Sequence, residues 1–140
     1  SAGGAFGGMI RQSGIGESLT ALTGGTGLSM VLLAWLIAAV MKVAQGSSTI
    51  AMITCAGIMA GILGAGSAPG FDPFYIFAAI AFGAMFGSWM NDSGFWIVCK
   101  MTGFSELETL RTWTISVSVV SLAGLVEVLL VHWAFPYPFG

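Results

Sequence analysis

The sequence predicts an all-α membrane protein, and three observations carry that prediction. The first is composition. Of the 140 residues 56% are hydrophobic and only 7% are charged, whereas a soluble domain carries about 25% charged residues. The second is the length of the uncharged runs. Ser18 to Met41 holds 24 residues without a charge, Val43 to Phe71 holds 29, and Pro73 to Asn91 holds 19. A hydrocarbon core of about 30 Å needs about 20 apolar residues as helix. The third is the pattern inside the runs. Only helices and closed barrels satisfy their backbone within a bilayer, and barrel strands alternate over about ten residues. These runs do not alternate.

The remaining composition narrows the class. A net charge of −2 without a Lys/Arg cluster gives no reason to expect nucleic acid or anionic lipid as a specific partner. The lipid bilayer itself is the expected surroundings. Cys55 and Cys99 both lie in apolar segments and read as packing residues. They form no redox motif, and with His132 as the only histidine no metal-ligand spacing exists. No cofactor is expected. The chain opens Ser-Ala-Gly-Gly with no initiator Met and no signal-peptide pattern, so it reads as a fragment or a processed piece.

Residues 1–27 are Gly-rich. Gly3/Gly7 and Gly4/Gly8 have the small-xxx-small spacing of tightly packed membrane helices, interrupted by Arg11 and Glu17. A helix end entering a loop near Gly24 to Gly27 is expected, with a flexible linker as the alternative.

Residues 28–66 pose a length problem. One continuous helix would measure about 59 Å, too long for one span. Two arms of about 15 and 17 residues are short for two full spans. A re-entrant helical hairpin fits better, its arms opening on one side and its tip, residues 45–49, non-helical inside the membrane. Ala34/Ala38 and Gly57/Gly61 would let the arms pack closely. Two short conventional spans remain the alternative.

Gly64 to Gly70 is a loop by its Gly and Pro content. Asp72 can cap the next helix and Pro73 suits its first turn. That helix is expected through Met90, with Gly83/Gly87 as a contact face. The stretch 72–103 then reads as a discontinuous span broken at Asn91-Asp92-Ser93-Gly94. Alternatively the span ends at Met90 and Phe95 to Cys99 lie at the interface. Residues 104–112 form a polar loop in which Ser105 and Glu108 match a capping box. The last transmembrane helix spans 113–135, with Ser116, Ser118 and Ser121 as a small polar stripe and Glu127 inside it. Pro136 to Gly140 ends it. Lys100 and Arg111 flank the 104–112 loop, which places it in the cytoplasm and both hairpin ends outside.

The chemistry concentrates in two polar breaks. The first, Lys42-Val-Ala-Gln45-Gly46-Ser47-Ser48-Thr49, lies between two strongly apolar arms. Irregular polar backbone survives at membrane depth only where protein or a water-filled cavity surrounds it, and a broken helix there is a common form of transporter binding site. The plainer reading is a turn between two ordinary spans. A lysine at depth needs a partner, and a substrate carboxylate would serve; otherwise Lys42 snorkels or pairs with a carboxylate such as Asp92. Gln45, Ser47, Ser48 and Thr49 offer hydrogen bonds to a carboxylate or to sugar hydroxyls, and Gly46 admits close approach. The helix starting near Ile50 points its positive dipole end at the tip, with the same sign as Lys42. In the second break, Asn91 and Ser93 flank Asp92, the only acidic residue between Pro73 and Met101. An intramembrane carboxylate is a proton or sodium relay, or else simply a helix cap. Glu127 is a second carboxylate for coupling, with packing against another helix as the alternative.

These residues resemble a known family. Lys42 to Met52, and Phe86-Gly-Ser-Trp-Met-Asn91-Asp92-Ser93-Gly94-Phe95-Trp96, are similar to two motifs of the gluconate permeases, and the resemblance extends through the Lys100 to Trp113 connection and the last helix. That family comprises proton symporters for gluconate and related sugar acids in the ion transporter superfamily. The resemblance implies a chain about three times longer with two inverted repeats. This piece would be the C-terminal part: a re-entrant hairpin, a broken helix and a final helix, with the N-terminal repeat missing. It implies a multi-pass protein of the bacterial inner membrane, a small organic anion as substrate and the proton as coupling ion, with sodium and a homo-oligomer left open. The rival class is a structural membrane subunit that packs through its Gly-rich faces, for which Lys42 and Asp92 would tolerate apolar replacement. The residues offer no enzyme chemistry.

Overall fold

The structure, a computed structural model, describes residues 27–64 and 72–135. Within them every regular element is helical: α1 (Gly27–Gln45), α2 (Ser48–Gly64), α3 (Phe74–Gly83), α4 (Ser93–Thr102) and a single turn α5 (Glu106–Thr109). From α5 the chain runs through a π-helical turn (Leu110–Thr114) into α6 (Ile115–Ala134). Glu106–Ala134 is thus one helix of 29 residues, the one among the described residues long and apolar enough to cross a bilayer. The hairpin arms and α3 are shorter apolar helices. The Gly3/Gly7 and Gly4/Gly8 faces, most of the loop Gly64 to Gly70, and Pro136 to Gly140 lie outside the described residues.

Helix α1 is the centre, packing on α3, α2 and α6. Its buried stripe is Val31, Ala34, Trp35 and Ala38, while Leu32, Leu36 and Val40 face outward. A helix apolar on both faces suits protein on one side and hydrocarbon on the other. Around the stripe sit Cys55, Met59 and Ile62 of α2, Tyr75, Ile76 and Ala79 of α3, and Leu125 and Val128 of α6. Small residues set the spacing. A Cβ on Gly83 would lie 2.5 Å from the Trp35 carbonyl oxygen and 2.9 Å from Ala38 Cβ, so α1 and α3 touch nearly backbone to backbone. The Cys55 thiol donates to the Ala34 carbonyl at 3.3 Å and ties the two arms together. Both cysteines are free and buried.

The first break is narrower than expected. Only Gly46 and Ser47 are non-helical; Gln45 closes α1, and Ser48 and Thr49 open α2. The reason is local: the Ser47 hydroxyl accepts from the Ile50 N–H at 3.4 Å, an N-cap that restarts the helix at once.

The second break is wider. Helix α3 ends at Gly83 instead of Met90, and the chain becomes helical again only at Ser93. An early break leaves backbone groups short of helical partners, and the last helix, from Thr114 on, bonds three of them. The Ser121 hydroxyl donates to the Phe82 carbonyl at 2.6 Å. The Ser118 hydroxyl accepts from the Gly87 N–H at 3.2 Å. The Thr114 hydroxyl donates to the Ser88 carbonyl. Positions 114, 118 and 121 share one helix face, whereas Ser116 is exposed. Gly83 is therefore a contact of α3, and Gly87 lies beyond that helix.

Both helix starts form as their sequences require. The Asp72 carboxylate accepts from the Phe74 N–H at 2.9 Å. Ser105 and Glu108 exchange both bonds of a capping box, so the last helix begins at Glu106, seven residues before Trp113.

Candidate functional site

The two breaks face each other. A Cβ on Gly46 would lie 2.1 Å from the Asn91 carbonyl oxygen, so only hydrogen fits there. Gly46 has φ +73°, the left-handed conformation that ends helices, and its N–H donates to the Lys42 carbonyl at 2.8 Å. The last carbonyls of a helix lack partners inside it. That of Val43 accepts from Asn91 Nδ2 at 2.8 Å and from Trp89 Nε1 at 3.2 Å. The second break thus caps the helix that leads into the first.

Lys42 and Asp92 meet at the centre of this contact. Lys42 Nζ lies 2.7 Å from Asp92 Oδ2 and donates to the Gly46 carbonyl at 3.3 Å. The side chains are 2% and 13% exposed, so the pair is nearly enclosed. Each charge also sits at a favourable helix end. Lys42 lies in the last turn of α1, and Asp92 is the N-cap of α4, with Oδ1 accepting from the Gly94 N–H at 3.0 Å. Asp92 Oδ2 accepts a further bond from the Ser88 hydroxyl. Ser88 is buried, and its Oγ accepts from Trp113 Nε1 at 3.0 Å.

The structure brings Lys42, Gly46, Asn91 and Asp92 together. Ser47 is half-buried and occupied as an N-cap, and Ser48 is half-buried in the first turn of α2. Gln45, Thr49 and Ser93 are exposed at the rim. Asn91 uses its amide to cap α1, a task the sequence reading did not foresee. Glu127 is exposed on α6, about 20 Å along the helix from Thr114 at 1.5 Å per residue, away from the ion pair. Ser88, Trp89, Trp113 and Thr114 belong to the site and were missed. The available signals were Ser88 four residues before Asp92 and the helical spacing of Thr114, Ser118 and Ser121.

The site holds one ammonium that an anion can reach only by competing with Asp92, and one carboxylate able to accept a proton. A groove of about 510 Å³ beside it, between Trp35, Val40, Val43 and Phe86, is lined by apolar atoms alone and offers an anion no partner. Among the described residues no group of His, Cys, Asp and Glu could hold a metal ion.

Residues 1–134 match the family described as GntP family permease. The chain is 38% identical over 130 residues, 93% of its length, to the Gnt-II system L-idonate transporter of Escherichia coli. It is 40% identical over 129 residues, 92% of its length, to a gluconate permease of Pseudomonas aeruginosa. It is 34% identical over 130 residues, 93% of its length, to the high-affinity gluconate transporter of Escherichia coli. These matches cover 29%, 28% and 29% of the relatives, so the chain spans less than a third of their length. No solved structure matches the chain.

Proposed function

This chain belongs to the GntP family of permeases, and we propose on that footing that it forms part of a symporter carrying gluconate or a related small organic anion with protons. Its relatives are transporters and permeases, not enzymes. The proposal extends to a multi-pass protein of the bacterial inner membrane. In it α1 and α2 form a re-entrant hairpin, and a further, inverted repeat outside this chain supplies the rest of the site.

The observation that carries the reading is the Lys42–Asp92 pair at the junction of the two helix breaks. A buried charge needs a counter-charge, and removing one partner strands the other. The substrate carboxylate and Asp92 therefore compete for one ammonium. A proton on Asp92 removes the internal competitor and leaves Lys42 to the substrate. Proton and anion then bind together, and each departs more readily once the other has left. That linkage is symport in its simplest form. The hydroxyls of Ser47, Ser48 and Thr49, with Gln45 and Ser93 at the rim, would take the hydroxyls of the sugar acid. A sodium ion in place of the proton is separable by exchanging sodium for choline during uptake.

The pair is also satisfied without any ligand, which favours a second reading: a structural subunit locked by an internal ion pair. Two variants of the full-length protein decide between them. Lys42→Met strands a buried carboxylate and should lower stability by about 3–5 kcal/mol. Lys42→Met with Asp92→Asn removes both charges and should restore membrane insertion. The transporter reading expects no anion uptake from the inserted double variant. Normal uptake at unchanged affinity would assign the pair to structure alone.

A further inference from the structure

The ion pair is reached from the last helix through a single residue. Ser88 is 3% exposed, and its hydroxyl has one proton to give. Trp113 Nε1 can only donate, and it occupies the Ser88 oxygen at 3.0 Å. The Ser88 proton is thereby directed away from Trp113 and onto Asp92 Oδ2, where the bond is made. The same residue is held at its backbone, because the Thr114 hydroxyl donates to the Ser88 carbonyl. Trp113 and Thr114 both lie in the π-helical turn Leu110–Thr114. An i→i+5 turn changes the register of side chains around a helix and is frequent at functional sites. Here it puts adjacent residues, 113 and 114, on the two ends of one serine. Chains of hydrogen bonds polarise one another at low dielectric, so the indole strengthens the bond that Ser88 makes to the carboxylate.

We infer that Ser88 and Trp113 are positioning residues for the Lys42–Asp92 pair: the π-helical turn of the last helix, acting through the Trp113–Ser88–Asp92 chain, aims the Asp92 carboxylate at Lys42. The inference rests on the proposed role of the pair in transport and adds two residues that act through it. Neither need touch the substrate. A shift of the last helix that parts Trp113 from Ser88 loosens Asp92, so the state of the pair follows the position of that helix.

Two measurements on the full-length protein test this. The first is uphill accumulation of gluconate in cells, with membrane levels checked by surface labelling. Trp113→Phe keeps an aromatic ring but removes the pyrrole half of the indole together with its N–H; it should lower accumulation about tenfold, the scale of a lost bond in a chain ending on a charge, and Ser88→Ala, which breaks the same chain while leaving the indole in place, should lower it alike. Asp92→Asn by itself should remove uphill accumulation, so in that background Trp113→Phe is read on gluconate exchange in liposomes, which it should leave unchanged. The second measurement is the ultraviolet resonance Raman band of the Trp113 indole N–H, assigned by its disappearance in Trp113→Phe. It should shift in Ser88→Ala, and also in Asp92→Asn, which replaces a charged acceptor by a neutral one. A Trp113→Phe substitution that lowers exchange in the Asp92→Asn background, or a band that Asp92→Asn leaves in place, overturns the inference. If Asp92→Asn itself accumulates gluconate normally, the proton-coupling reading fails, and the Raman band alone decides the chain.

Discussion

Replacing Gly46 by alanine strikes the contact between the two breaks, and its size can be worked from two glycine environments. The residue has φ +73°, and an added Cβ would lie 2.1 Å from the Asn91 carbonyl oxygen and 2.6 Å from its carbonyl carbon. Those are backbone atoms, so rotating a side chain gives no relief. The left-handed conformation alone costs a non-glycine residue about 1–3 kcal/mol. Relieving the overlap means moving the second break away by an ångström or more. That forfeits the bonds from Asn91 and Trp89 to the Val43 carbonyl, about 1 kcal/mol each. The expected loss for Gly46→Ala is about 3–5 kcal/mol, together with gluconate uptake. Gly103→Ala is the internal control. Gly103 shares φ +73° but has nothing within 4 Å of the added Cβ, so it should show only the backbone part, about 1–3 kcal/mol, and fall short of Gly46→Ala by the two lost bonds. Thermal unfolding of the purified full-length variants, side by side, reads the difference. A Gly46→Ala protein as stable as Gly103→Ala would mean that the two breaks are not in contact.

Two more perturbations probe how α6 is held. At Gly124 an added Cβ would lie 2.2 Å from Phe82 Cδ1, so Gly124→Ala should destabilise by about 1–3 kcal/mol as an overpacked contact. Trimming the ring with Phe82→Leu should return part of that loss, which a double-mutant cycle in thermal unfolding would detect. Ser121→Ala removes the acceptor of Trp35 Nε1 and the donor to the Phe82 carbonyl. It should cost about 1–3 kcal/mol and increase hydrogen exchange in residues 82–88, where the second break begins.

The legible part of this molecule was the part written in local sequence. The helical class follows from uncharged runs without alternation, and the two helix starts at Asp72 and Ser105 follow from side chains that bond to backbone within three residues. The two breaks were visible as polar islands in apolar sequence. Their widths were not, because width is decided by partners distant in the chain. Ser47 caps its own helix and narrows the first break. Thr114, Ser118 and Ser121 bond the Ser88 carbonyl, the Gly87 N–H and the Phe82 carbonyl and support the wider second break. The Ser116/Ser118/Ser121 stripe was recognisable as polar, but nothing local says that Ser118 and Ser121 bond backbone more than 30 residues away while Ser116 stays exposed. Lys42 was open between ligand and ion pair from sequence, and the structure gives it Asp92. Ser88 and Trp113 escaped notice for the same reason as the stripe: a serine and a tryptophan in apolar sequence carry no signal until the fold sets them 3.0 Å apart.

Coupling at Lys42 and Asp92 requires that one site bind an anion and a proton together. The most direct measurement is proton movement in liposomes containing the purified full-length protein and a trapped pH dye, with gluconate added outside and no imposed gradient. Gluconate entry should acidify the lumen. Asp92→Asn should still exchange labelled for unlabelled gluconate across the membrane while the lumen no longer acidifies. Gluconate entry without acidification in the unaltered protein, or acidification that survives in Asp92→Asn, would contradict a coupled site at Lys42 and Asp92.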